Sequence, residues 1–78
     1  MRKEKEVEFN RTVNNNIKDI MYRKCIIQKQ VAYGTGIPAG GFANKINLCH
    51  GRFSFYEIIK IAKFLNVNVC DLYKGAVL

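Results

Sequence analysis

The chain of 78 residues is short of the parts that several protein classes require. It has three cysteines, Cys25, Cys49 and Cys70, an odd number with no closely spaced pair. A full disulfide framework is not expected from them, and a reducing cytosol suits them better. Cys49 and His50 are neighbours, but zinc needs about four ligands, usually including close pairs such as C-x-x-C. No metal and no cofactor are therefore expected, and His50 reads as a loop residue able to meet a phosphate. His50 is the one histidine and has no acidic residue near it in sequence. Ser54 is better explained as a helix cap, and Tyr56 and Glu57 lack a nucleophile pattern. The glycine-rich stretch does not end in the Lys-Ser/Thr of a phosphate-binding loop. An enzyme is not expected, and no small-molecule ligand is evident. Apolar runs fall short of the ~18–20 residues that span a bilayer. The charged start, Met1-Arg2-Lys3-Glu4-Lys5-Glu6, lacks the apolar stretch of a signal peptide. The expected protein is cytoplasmic, off the membrane and a single domain without repeats.

What is present is positive charge. Lys and Arg number 13 against 6 Asp and Glu, giving a net charge of +7 and a pI near 9.6. The acidic residues leave a gap from Asp19 to Glu57, and Arg23, Lys24, Lys29, Lys45 and Arg52 all lie inside it. Such a balance favours nucleic acid or another anionic surface as partner. The plainer reading is a small domain kept basic for solubility. Hydrophobic residues make up 49% of the chain, enough for one core. A domain this small buries a modest share of its surface and should be marginally stable.

Residues 1–13 read as an N-terminal tail or arm. Glu4, Glu6 and Glu8 largely cancel Arg2, Lys3 and Lys5, which favours a solvated tail over a groove-reaching arm. Phe9 and Val13, four apart, could instead form one helical turn. Asn14-Asn15-Asn16 is a poor helix interior and a good start, because asparagine accepts from free amides of a first turn. A helix is expected from about Asn16 to Lys24 with Ile17, Ile20 and Met21 buried. Ser54 and Glu57 match a capping box. The helix they open should run to about Asn66, with Phe55, Ile58, Ile59, Ala62 and Leu65 in the core. Asn68 to Asp71 reads as a weaker cap for a short last helix to Gly75, followed by an apolar end at Ala76-Val77-Leu78.

The stretch from Gln28 to Asn47 organises the rest. Val31 and Ala32 can share a buried face. Gly34, Thr35 and Gly36 break the pattern, with Gly36 at a sharp turn that needs positive φ. Ile37 follows as a buried anchor. Pro38 suits the first turn of a new helix, on which Phe42 and Ile46 face the same way. Helix, glycine turn, helix is the helix-turn-helix unit.

At Gln28, Val31-Ala32, Gly36, Ile37, Phe42 and Ile46 the chain resembles the XRE/Cro-type, lambda-repressor-like DNA-binding domains. The resemblance continues at Ile61-Ala62, Leu65, Val67 and Asp71-Leu72 and covers about Asn14 to Gly75. It implies an all-α bundle of about five short helices, with residues 14–78 as the helix-turn-helix DNA-binding domain. Cys25 stands where the family usually has glycine. The implied function is sequence-specific binding of double-stranded DNA by a small transcriptional regulator, a repressor in most such cases, as a homodimer on DNA. Gln28 and Lys29 would meet the backbone. Pro38, Ala39, Gly40, Gly41, Asn44 and Lys45 would form the surface in the major groove, and Asn47 and Arg52 would touch phosphates.

The chain departs from the family at Ala39-Gly40-Gly41, where little side chain is left to read bases. Three readings stand. The backbone approaches DNA closely, with Ala39 on a thymine methyl. Shape and deformability carry the specificity. Or the module binds a protein, as an antitoxin or a regulator's partner, and DNA only loosely. Asn44 is the best direct reader, able to pair with adenine, or else an ordinary surface asparagine.

Overall fold

In the computed structural model, helix α1 (Arg2–Arg23) is followed by α2 (Gln28–Thr35), α3 (Ala39–Ile46), α4 (Phe55–Leu65) and α5 (Val69–Leu72). Residues 2–48 and 51–76 are described, with side chains from residue 6 onward. The Cys49-His50 pair and Val77-Leu78 lie outside them, along with the readings made of those residues. Among the described residues there is no strand, and the fold is all-α. Its radius of gyration, 11.7 Å, is close to the ~11.5 Å of a folded chain this long. No described helix is long and apolar enough to cross a membrane.

The largest departure from expectation is α1. It runs 22 residues, straight through the tail boundary expected at residues 13–14 and the helix start expected at Asn16. Val13 is buried with Ile17, Ile20 and Met21, so the apolar stripe begins earlier than the sequence reading put it. Phe9 extends it by stacking on Tyr73, ring centroids 5.8 Å apart. The asparagine run is helix interior because its side chains serve other helices. Asn14 Nδ2 donates to the Lys45 and Ile46 carbonyls at the end of α3, both at 3.0 Å. Asn16 Nδ2 donates to the Leu72 carbonyl at the end of α5 and the Lys74 carbonyl just beyond it, at 2.9 and 2.8 Å. Helix ends leave four carbonyls without intrahelical partners. α1 supplies donors to two such ends.

α1 closes at Cys25, whose φ of 57° is left-handed. Cys25 N–H donates to Tyr22 and Ile26 N–H to Met21, the paired bonds of a Schellman ending. This is the place where the resemblance implied glycine. Ile26 turns inward and packs, partly buried, on the core. α2 does not stop at Gly34: it continues to Thr35, whose hydroxyl donates to the Val31 carbonyl at 2.7 Å. Gly34 is a packing glycine, since a Cβ there would collide with the Phe64 ring of α4. Gly36, with φ 78°, makes the expected turn. Pro38 precedes α3 as its N-cap residue.

Val31, Ala32, Ile37, Phe42, Ile46, Ile58, Ala62 and Leu65 are buried as expected, joined by Ile61. Phe53, just before the Ser54 cap, is also buried, its ring 5.2 Å from Phe42. Phe55 is the converse. Expected in the core, it is 63% exposed and leans on Tyr73, and Ile59 is half-buried. α4 opens with the full capping box: Glu57 N–H donates to Ser54 Oγ at 3.1 Å, and Ser54 N–H to Glu57 Oε1 at 2.9 Å. It ends at Asn66, left-handed at φ 60°. The weaker cap at α5 reduces to Asn68 N–H donating to Asp71 Oδ2 at 3.3 Å.

Candidate nucleic-acid interface

α2, the turn at Gly36-Ile37-Pro38 and α3 carry most of the residues expected at a partner surface. Buried Val31 and Ala32 fix one side of α2, and Phe42 and Ile46 fix α3, so the remaining sides face outward. Gln28 and Lys29 are exposed in the first turn of α2. Pro38, Ala39, Gly40 and Asn44 are exposed, and Gly41 is half-buried. A Cβ at Gly40 would meet open space, so that glycine is not required by packing. Asn47 is exposed just after α3, and Arg52 is exposed in the loop before α4.

Two hollows in the surface take half of these positions. Lys29, Pro38 and Ala39 line a shallow, mostly apolar depression of about 540 Å³ together with Tyr33. Asn47 and Arg52 line a groove of about 720 Å³ against α1. Gln28, Gly40, Gly41, Asn44 and Lys45 line neither. Tyr33, 92% exposed, was missed by the sequence reading. Its four-residue spacing from Lys29 is the signal that could have found it.

The helix starts differ in how their amides are satisfied. α4 has its Ser54 cap, whereas the N-cap residues of α2 and α3, Ile27 and Pro38, make no side-chain bond to the first turn. Uncapped amides at a helix start favour anions, through their free N–H groups and the helix dipole. At α2 the Gln30 side chain closes back on the Ile27 amide at 2.9 Å, leaving the amides of the first turn itself without a side-chain acceptor.

Lys45 is engaged within the chain. Its ammonium lies 2.8 Å from Glu57 Oε2, with both side chains largely covered. Burial alone would push the Glu57 carboxyl up. The Lys45 ammonium and the Ser54 amide and hydroxyl together hold it below its ordinary value. This pair ties the end of α3 to the start of α4. It also neutralises Glu57, the carboxylate that closes the acid-free stretch on its C-terminal side. Asn47 is partly used too, its Nδ2 donating to the Ala43 carbonyl at 3.0 Å.

Comparison with family models, curated proteins and solved structures finds no match to this chain. The fold defines its class: a small all-α protein whose residues 20–56 include no carboxylate.

Proposed function

We propose that the chain is a duplex-DNA-binding regulator of transcription, akin to the XRE/Cro-type domains. In this reading α2 lies on the phosphate backbone and α3 enters the major groove. The observation that carries it is the pair of uncapped helix starts at Ile27 and Pro38, beside exposed Gln28, Lys29 and Asn44, in a stretch whose next carboxylate is already paired with Lys45. Gln28 and the first amides of α2 would hold a phosphate. Asn44 would pair with an adenine edge, and the small surface of Ala39 and Gly40 would let backbone approach the bases. One such domain makes few contacts, so two copies on a palindromic site are the expected assembly. The expected action is repression by occupying promoter DNA in the cytoplasm.

The test is selection of bound duplexes from a randomised pool at near-physiological salt. An enriched palindrome supports the reading, and Asn44→Ala should then cost about 1–3 kcal/mol and relax one position. Gln28→Ala should weaken all sequences alike. The second reading is a protein-interaction module, such as an antitoxin, and the almost fully exposed Tyr33 beside the apolar depression favours it. Partner binding that is insensitive to salt and to both substitutions would decide for that reading.

A further inference from the structure

The groove between α1 and the end of α3 has no part in the reading above beyond Asn47 and Arg52. Its other wall is α1. Arg11, Asn15 and Lys18 follow one another at spacings of four and three, so they share one helical face. All three are exposed, and all three line the groove with Asn47 and Arg52. Among the described residues, Arg11, Lys18 and Arg52 have no carboxylate partner; the ion pairs are Asp19–Arg23 and Lys45–Glu57. Among the described residues, Glu6 is the one carboxylate on the lining. It lies five residues before Arg11, roughly 7.5 Å along the helix axis.

A helix C-terminus normally repels anions, because its free carbonyls carry partial negative charge. At this end of α3 the Ala43, Lys45 and Ile46 carbonyls have donors. Asn14 Nδ2 takes those of Lys45 and Ile46, and Asn47 Nδ2 takes that of Ala43, all at 3.0 Å. Lys18 Nζ reaches Asn47 Oδ1 at 3.4 Å, bringing a cation to the same rim. Backbone amides meet two of these carbonyls as well, Asn47 N–H donating to Ala43 and Leu48 N–H to Lys45, so the rim presents cations beside carbonyls that are already satisfied.

We propose that this groove is a phosphodiester track. Arg11, Lys18 and Arg52 take backbone phosphates of the bound duplex beyond the segment covered by α3. From Arg11 to Lys18 the helix rises roughly 10.5 Å, comparable to about three base-pair steps of ~3.4 Å. The proposal rests on the DNA-binding reading and extends it by assigning α1 to the footprint.

The test measures binding of a selected duplex across a salt series, in two lengths. The longer duplex runs about five base pairs past the segment that α3 would cover, and the shorter ends there. The double variant Arg11→Ala/Lys18→Ala is expected to bind the longer duplex about tenfold more weakly, and the slope of log K against log salt to fall by about 2. Binding of the shorter duplex and the sequence preference should not change. Unchanged affinity and slope on the longer duplex, while Asn44→Ala still weakens binding, overturns this proposal and leaves the DNA-binding reading standing. An equal loss in the control Lys63→Ala/Lys74→Ala, two exposed cations elsewhere, also overturns it, because net charge alone would then explain the effect. Loss of inorganic tripolyphosphate binding with duplex binding intact reassigns the groove to free phosphate and overturns the duplex track. Wild-type protein that binds no duplex overturns the underlying reading, and this one with it.

Discussion

The two ends of α3 are built on opposite principles. At the C-terminal end, Asn14 holds two carbonyls, Lys45 pairs with Glu57, and Ile46 is buried. At the N-terminal end, Pro38, Ala39 and Gly40 are exposed, no side chain caps the first turn, and a Cβ at Gly40 would meet open space. Helix propensity makes this unequal arrangement costly, since each of Gly40 and Gly41 destabilises a helix by about 1 kcal/mol relative to alanine. The helix is held from behind, by side chains on α1 and α4, and its start is left bare. Such a division suits an element whose free end must approach a partner closely while its position is set elsewhere.

The largest effect should come from releasing the held end. Asn14 is 4% exposed, and Asn14→Ala leaves the Ile46 carbonyl without its donor in a covered site and the Lys45 carbonyl with the Leu48 N–H alone. The expected loss is about 2 kcal/mol, roughly 10 °C in Tm for a domain of this size, read by thermal and urea unfolding. Asn14→Asp should be worse, because it places a carboxylate against the same carbonyls. A variant as stable as the wild type would remove the clamp from the comparison.

Gly40→Ala probes the bare end. Open space at its Cβ means the substitution should gain helix propensity without a clash, raising stability by about 1 kcal/mol. If backbone meets DNA there, the same methyl should lower duplex affinity while the fold becomes more stable. A stabilised variant with unchanged affinity would show that the first turn of α3 is not a contact surface.

The buried set of α2, α3 and α4 was legible because each of those helices carries its own periodic pattern, and the Ser54–Glu57 box because both partners lie within one turn. What was illegible depends on partners far along the chain. Asn14 reaches Lys45 and Ile46 across 31 and 32 residues, and Asn16 reaches Leu72 across 56. Read locally, asparagine disfavours a helix, and the tertiary bonds that offset this leave no trace in the spacing. Gly34 failed in the same way: its lack of a side chain reads as a break, yet it admits the Phe64 ring of another helix. Phe55 is exposed and Phe53 buried, and hydrophobicity alone does not say which ring in Phe53-Ser54-Phe55 faces inward. Of the candidate interface, exposure at Gln28, Lys29, Ala39, Gly40 and Asn44 followed from the buried stripe. The engagement of Lys45 by Glu57, twelve residues on, did not.

That pair gives the smallest effect and one with a defined sign. The folded-state value of Glu57 lies below the ordinary carboxylate value, which the unfolded chain keeps. Its contribution is therefore fully present above the ordinary carboxylate range and is lost as pH falls through the lowered folded value. The amount is below about 1 kcal/mol, as befits a pair that is not fully buried. Glu57→Gln isolates it, because a glutamine oxygen can still accept from the Ser54 amide while the charge opposite Lys45 is gone. Urea unfolding at pH 6 and pH 3 should differ less in this variant than in the wild type. An identical pH dependence would remove the pair as a brace for the end of α3. The same variant frees the Lys45 ammonium. If that end of α3 meets phosphates, duplex affinity at pH 7 should rise as stability falls. Affinity that falls with stability would mean that holding α3 in place matters more than the added cation.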